Sequence, residues 1–345
     1  MKYTLIDHVQ HGERLAKHIF ASDGRVLLQE DVQLTVGILS RLRRMGVKAI
    51  YIKDERVKDV KLEEVVSERV KRETISTLQD SFQLVQTGKN IDFQAVRKVI
   101  STIIDEVLQN QQTLFALMDI RTEDNELYVH SVNVCILSTI VGIKMGLDRT
   151  KLQELAIGAL LHDIGKVVDD APGQLEPMKN DHTWKGFNLL RKNKEISTLS
   201  SHIALTHHEN MDGTGYPRKL KDEEIHVLSK IVAVTNTYDR LLSPKDGGKG
   251  MFPYEACEYL LGLTNIQFSH EVMWRFLRAV AFYPTGSQVK LSTKETGIVV
   301  DQNPGLPQRP IIRVFHMVGS ASEDFDVKHI DLAKETTVFI EEVLS

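Results

Sequence analysis

Six histidines fall between residues 130 and 208: His130, His162, His182, His202, His207 and His208, out of thirteen in the chain. A single helical histidine is ordinarily a packed or solvated residue. A group of them beside a carboxylate is different, because neutral imidazole plus carboxylate suits Fe, Mn, Zn or a similar ion more than Ca or Mg. The centre of the group is His162-Asp163-Ile164-Gly165-Lys166, directly after the apolar run from Leu155 to Leu161. That run reads as a buried helix, and two polar side chains at its end would cost several kcal/mol if left unpaired. Coordination removes the cost, and one carboxylate can bridge two ions, the natural role for Asp163. His207 and His208 are adjacent, so on a helix their side chains point about 100° apart. They can share an ion only at a distorted helix end, and Asp212-Gly213-Thr214-Gly215-Tyr216-Pro217 supplies a tight loop that would create one. Glu126 and His130 are four apart and share a helical face. They are a surface pair by default, and a candidate edge of the metal site beside the other ligands.

Together with His182 in His-Thr-Trp-Lys-Gly-Phe-Asn-Leu-Leu and the stretch from His207 to Pro217, the His-Asp pair at 162–163 resembles the HD-GYP family. That family is a branch of the HD-domain metal-dependent phosphohydrolases. The resemblance covers about residues 125–285, with its motif blocks in family order and spacing. It implies an all-α core, a bacterial signalling role, and cyclic di-GMP as substrate, hydrolysed to linear pGpG or onward to GMP. By the same resemblance His130, His162, Asp163, His182, His207 and His208 are metal ligands, and Glu126 supports an additional metal. Lys166 is the lysine of the His-Asp-x-Gly-Lys motif. Gly215, Tyr216 and Pro217 form the loop beside the nucleotide. The implied cofactors are two or three divalent ions, Fe or Mn. Such ions activate water and neutralise non-bridging phosphoryl oxygens. Lys166 would then stabilise the phosphorane-like charge or protonate the leaving oxygen; its bland alternative is a solvated surface lysine.

Two departures from the family pattern stand out. The family's further Asp ligand, in a pattern like Ala-Asp-x-x-Asp-Ala-Leu, is met here by Val234-Thr235-Asn236-Thr237-Tyr238-Asp239-Arg240-Leu241, so the ligand position is Asn236. An amide oxygen should bind one metal less tightly than a carboxylate and alter the electrostatics of the water. Asp239, not the usual ligand, is a helical turn away and would need a rearrangement to substitute. The family's Ser-Asp-Arg-Pro-Tyr stretch is replaced by a segment from Ser243 to Gly250, with Lys245 in the Arg position and Lys249 near. Lysine keeps the charge and loses the bidentate fork. His202 and His226 match no ligand position and read as structural or exposed. The residues are thus compatible with an active cyclic di-GMP phosphodiesterase, with a degenerate domain that binds nucleotide or a protein partner without turnover, or with a hydrolase for another phosphoester.

The elements that must position these residues are mostly helices: the expected class is mainly α, an all-helical core with a small α+β N-terminal unit and a short β-rich C-terminal appendage. Residues 1–55 read as the mixed unit, with strands at Tyr3 to Ile6, Leu15 to Phe20 and Lys48 to Ile52. A turn falls at Ser22-Asp23-Gly24 and a helix carries Leu34, Ile38, Leu39 and Leu42. Residues 56–120 predict two long helices with apolar stripes, Val66, Val70, Leu78, Phe82 and Val85 on one, Val96, Ile100, Ile103, Val107 and Leu114 on the other. Such stripes need a partner surface, either in the same chain or in a second subunit. Residues 121–285 hold the chemistry. Residues 286–345 predict strands at Gln288 to Ser292, Thr296 to Asp301, Pro310 to Val314 and Thr337 to Val343, interrupted by Asn303-Pro304-Gly305-Leu306-Pro307.

Composition is that of an ordinary globular chain: 345 residues, 42% hydrophobic and 26% charged. A net charge of −4 gives no support for a nucleic-acid polymer or membrane surface as partner; a cyclic dinucleotide, a second copy of the chain or a signalling protein are the partners to expect. The two cysteines, Cys135 and Cys257, both in apolar helical patterns, argue against a disulfide framework. With no apolar leader pattern and no run of about 18 apolar residues, the expectation is a cytoplasmic protein without membrane insertion.

Overall fold

The computed structural model describes residues 1–21, 25–47, 49–60, 62–116, 121–122, 124–169, 181–243, 250–317 and 325–344. The expected turn at 22–24 and the substrate positions Lys245 and Lys249 lie outside the described residues.

The N-terminal unit contains β1 (Lys2–Leu5), β2 (Ile19–Phe20), β3 (Val26–Leu28), α1 (Val36–Arg44) and β4 (Ala49–Ile52). β1 pairs antiparallel with β4, and β2 with β3. The strand expected over Leu15 to Phe20 is shorter than its apolar pattern suggests. Leu15 N–H donates to Val32 O at 3.0 Å while Ala16 N–H donates to Tyr51 O at 2.8 Å. The chain therefore crosses between two partners instead of extending one ladder, and regular pairing resumes only at Ile19.

α2 (Glu68–Gln86) and α3 (Phe93–Gln109) start at Ser67 and Asp92, whose side chains accept from backbone N–H groups of the first turn. Their stripes, including Val70, Leu78, Phe82, Val96, Ile100 and Ile103, are buried in the same cluster as the central helices. Residues of the same chain cover these faces.

α4 (Glu126–Lys144) is the centre of the molecule. It is apolar nearly all round, which demands burial on every side. Packed against it are α2, α3, α5 (Arg149–Leu160), α8 (Val227–Leu242) and α10 (His270–Leu277). Among the described residues it is the one helix long and apolar enough to cross a bilayer, and most of it is buried in the bundle. α6 (His182–Leu190) and α7 (Thr198–Thr206) close one side of the bundle, α9 (Pro253–Gly262) another. His226 caps α8, its Nδ1 accepting from Leu228 N–H at 3.2 Å, which is the structural role expected of it.

The C-terminal appendage is a five-stranded antiparallel sheet of β5 (Gln288–Leu291), β6 (Thr296–Asp301), β7 (Ile311–Met317), β8 (Phe325–Asp331) and β9 (Ile340–Leu344). The spatial order is β8-β7-β6-β5-β9. β8 was not among the expected strands. It pairs only with β7 at the sheet edge, where a sequence as polar as Phe-Asp-Val-Lys-His-Ile-Asp needs one apolar face at most.

Candidate metal centre

The end of α5 delivers His162 and Asp163 into the middle of the bundle, both fully buried. The chain turns there through the short helix Ile164–Val167, and Gly165 allows that turn to lie directly on α6. A Cβ at Gly165 would fall 1.8 Å from His182 O and 2.6 Å from Gly186 N. No larger residue fits, and the close approach is what brings His182, the first residue of α6, to the centre. α7 contributes His207 at its C-cap and His208 just beyond. α4 contributes His130 from its first turns.

Five rings converge on one carboxylate. Asp163 Oδ2 lies 3.6 Å from His130 Nε2 and 3.4 Å from His162 Nε2. Its other oxygen, Oδ1, lies 3.4 Å from His182 Nε2 and 3.7 Å from His207 Nε2. The donor atoms form two groups with the spacing of ion ligands, His130 with His162 and Asp163, and His182 with His207, His208 and Asp163. Asp163 is common to both.

The far sides of the rings fix their tautomers. His162 Nδ1 points at Ala159 O at 2.7 Å and His207 Nδ1 at Ala204 O at 2.9 Å. A carbonyl oxygen can only accept, so each Nδ1 carries the hydrogen, and in the neutral ring each Nε2 presents a lone pair. His130 Nδ1 donates to Asp239 Oδ2 at 2.6 Å. The consequence is that His130 Nε2 and His162 Nε2 face each other at 3.2 Å, and His182 Nε2 and His207 Nε2 at 3.4 Å. With both rings neutral, the facing atoms of the first pair are unprotonated. Lone pairs turned toward each other repel unless a cation lies between or beside them. Among the described residues, Asp163 Oδ1 is buried with no hydrogen-bond partner, a costly condition for a carboxylate oxygen that a metal ion would remove. These residues fit divalent transition metals.

Electrostatics agree. Burial, followed by its neighbour His182, pulls His208 down to about 3. Burial likewise lowers His130, His182 and, most strongly, His207. All four rings are therefore neutral near pH 7, the form that ligates. Burial alone would push the Asp163 carboxyl up, but His162, Lys166 and His207 around it outweigh burial and hold it well below the usual carboxylate range.

The other expected residues divide. Lys166 is no free surface lysine: its Nζ lies 2.5 Å from Asp163 Oδ2. Tyr216 stacks on His208 with ring centroids 4.7 Å apart, half exposed at the mouth of the site. Gly215 and Pro217 are buried beneath it. A Cβ at Gly215 would meet Asn210 N at 2.3 Å, so the loop can pass that close only as glycine. Glu126 is exposed in the first turn of α4 and belongs to neither ligand group among the described residues. Asn236 is buried, and its Oδ1 accepts from Arg240 Nε at 3.0 Å. Asp239 does not substitute as a ligand; it orients His130 from behind and pairs with both Arg121 nitrogens, Nη1 donating to its Oδ2 at 2.9 Å. His202 packs edge-on against Phe187, 5.0 Å between centroids, away from the centre.

Three residues of the site carried no assigned role in the sequence. Glu209 is buried and its carboxylate accepts from Arg218 N–H at 2.7 Å and Leu220 N–H at 2.9 Å, tying down the loop that carries Tyr216. Arg240 Nη2 donates to Asp163 Oδ2 at 2.9 Å; a cation one turn after Asn236 on a buried helix was the available signal. Arg121 is 118 residues from Asp239, and no local pattern announces that contact.

Residues 111–265 match the family model of the HD domain, and residues 288–345 match a KOW domain associated with HD domains. A cyclic di-GMP phosphodiesterase of Pseudomonas aeruginosa is 31% identical over 256 residues, covering 72% of this chain and 61% of that protein. A cyclic di-GMP phosphodiesterase of Thermotoga maritima is 37% identical over 165 residues, 45% of each chain. The chain thus spans less than two thirds of either curated relative. An HDG"Y"P protein from Bdellovibrio bacteriovorus has the same fold, with a TM-score of 0.51, 19% identity, and coverage of 79% of this chain and 97% of that one. The HD-domain match contains every histidine gathered around Asp163 and the loop that carries Tyr216, and the relatives share it: this region of the chain is an HD domain of the HD-GYP family.

Proposed function

We propose that the chain is a metal-dependent phosphodiesterase that hydrolyses cyclic di-GMP to pGpG or GMP in bacterial second-messenger signalling, acting in the cytoplasm. The observation that carries the proposal is the division of Asp163, one oxygen toward His130 and His162 and the other toward His182 and His207. A carboxylate so placed could be shared by two ions. The names of the P. aeruginosa and T. maritima relatives support the substrate. Residues 121–285 would carry this activity, flanked by a mixed unit at 1–55, the helices of 56–120 and the β appendage at 286–345. Dimerisation and a signalling-protein partner belong to the same proposal.

His130, His162, Asp163, His182, His207 and His208 would hold two divalent ions, Fe or Mn, and Glu126 would support a third. Ions held there supply an activated water at neutral pH and neutralise charge on the phosphoryl oxygens. The chain's own residues do the rest. Asp239 and the carbonyls of Ala159 and Ala204 keep each ring in the tautomer that ligates. Lys166, at the rim of the carboxylate, can turn its ammonium to the phosphoryl group or hand a proton to the leaving oxygen. Burial lowers the Lys166 pKa while Asp163 raises it and Arg240 lowers it again, for a net decrease that favours proton donation. Tyr216 offers a half-exposed ring beside His208 against which a base can lie, and Gly215 with Pro217 shapes the loop that carries it. Lys245 and Lys249 are the proposed phosphate contacts of the following loop.

Anaerobic purification with metal analysis, then cyclic di-GMP turnover with Fe and with Mn, tests the proposal. The expected result is linear dinucleotide or GMP from metal-loaded protein and none from Asp163→Asn. Metal-loaded protein that binds cyclic di-GMP without turning it over would instead establish the second function, a binding module. Asn236 and its contact with Arg240 favour that alternative. Turnover of a different cyclic dinucleotide in a substrate panel would reassign the substrate.

A further inference from the structure

Asp163 is surrounded unequally. Its Oδ2 accepts from Lys166 Nζ at 2.5 Å and from Arg240 Nη2 at 2.9 Å. Its Oδ1 accepts from nothing among the described residues, although it is buried. Arg240 is held in place by a second contact, Nε to Asn236 Oδ1 at 3.0 Å, and by the helix that carries both residues four positions apart. Its side chain is only one-third exposed. The guanidinium thus bridges a neutral amide and one oxygen of the shared carboxylate, on the side of His130 and His162.

We propose that Arg240 is a built-in cation that competes with a metal ion for the His130–His162 side of the centre, so that the two sides load unequally. The inference rests on the metal-dependent function proposed above. An ion arriving among His182, His207 and His208 displaces no partner and relieves an orphaned buried oxygen. An ion arriving beside His130 and His162 must break a charge-assisted hydrogen bond, or sit against two positive side chains in a cluster of low dielectric. Asn236 is part of the device. Its carbonyl accepts from the guanidinium Nε without adding a negative charge that would draw an ion in. The ion on the Oδ1 side is then resident, and the other is exchangeable. Arg240, once released from Oδ2, becomes free to meet a phosphate at the mouth of the site.

Titration calorimetry of metal-free protein with Mn(II), paired with metal content after desalting, decides this without an activity assay. Wild type should bind a first ion at least about tenfold more tightly than a second, and retain close to one ion per chain after desalting. Arg240→Gln, which keeps the length and removes the charge, should narrow that gap by about tenfold or more and retain more metal. Arg240→Ala serves the same comparison if the glutamine variant fails to melt cooperatively. Two ions bound equally by wild type, or a second affinity unchanged in the Arg240 variants, overturns the proposal while leaving the metal-dependent function standing. No ion bound at all overturns both.

Discussion

Asp239 shows how much a residue can do without touching an ion. Its carboxylate receives the Nδ1–H of His130 at 2.6 Å and is held in turn by Arg121, so the ring cannot rotate or switch tautomer. Asp239→Asn should lower metal affinity on the His130 side by about 10–100-fold, the usual cost of losing such a support, with little change in helix content. Equal affinities in calorimetric titrations of the two proteins would remove Asp239 from this role. The histidines also give the metal-free protein a definite pH dependence. His208 sits at about 3 in the folded chain against 6.5 in the unfolded one, and His130, His182 and His207 are shifted the same way. Between those values the unfolded chain binds protons that the folded chain refuses. Stability is therefore complete above 6.5 and is lost as pH falls from there toward 3. The melting temperature of metal-free protein should drop steadily over that window and be flat above it; a flat profile throughout would contradict the buried neutral rings.

Among elements, the junction between the Ile164–Val167 turn and α6 is the most constrained part of the site. Backbone meets backbone there, and the missing Cβ of Gly165 is what permits it. Gly165→Ala should push α6 outward, carrying His182 with it, and cost about 1–3 kcal/mol as an overpacked substitution. Thermal melts combined with metal retention give the check. A variant that keeps both wild-type stability and wild-type metal content would show that α6 can move without consequence. The loop after α7 is fixed differently, by the buried Glu209 carboxylate on two backbone N–H groups, and it carries Tyr216 over His208.

For the whole molecule, the decisive feature is that the helices before the HD-domain match share its core. Phe82 lies 5.7 Å from Tyr128 of α4, centroid to centroid, and the stripes of α2 and α3 are buried in one cluster with α4 and α5. Each such side chain contributes about 1.5–3 kcal/mol when fully buried. Six of them, Val70, Leu78, Phe82, Val96, Ile100 and Ile103, amount to roughly 10 kcal/mol or more, comparable to the entire net stability of a domain. A chain beginning at residue 121 should therefore bind the dye ANS and melt without a cooperative transition. Cooperative melting of that fragment would mark α2 and α3 as an accessory layer instead. At the other end, the β sheet is tied back by Arg313, whose two terminal nitrogens each reach an Asp59 oxygen at 2.7 Å.

The histidines that gather around Asp163, their order and the loop that must end α7 were all legible in the sequence. Helical spacing and punctuation by glycine and proline are local properties, carried by neighbouring residues. The apolar stripes of α2 and α3 were legible too, but not what covers them. Which oxygen of Asp163 faces which histidines, and that Asp239 supports His130 while Arg240 occupies Oδ2, were decided only in three dimensions. Those contacts join residues 109 and 77 positions apart, across the packing of α4, α5 and α8. A helix-to-helix register is set by the summed fit of many buried side chains, so no short stretch of sequence contains it.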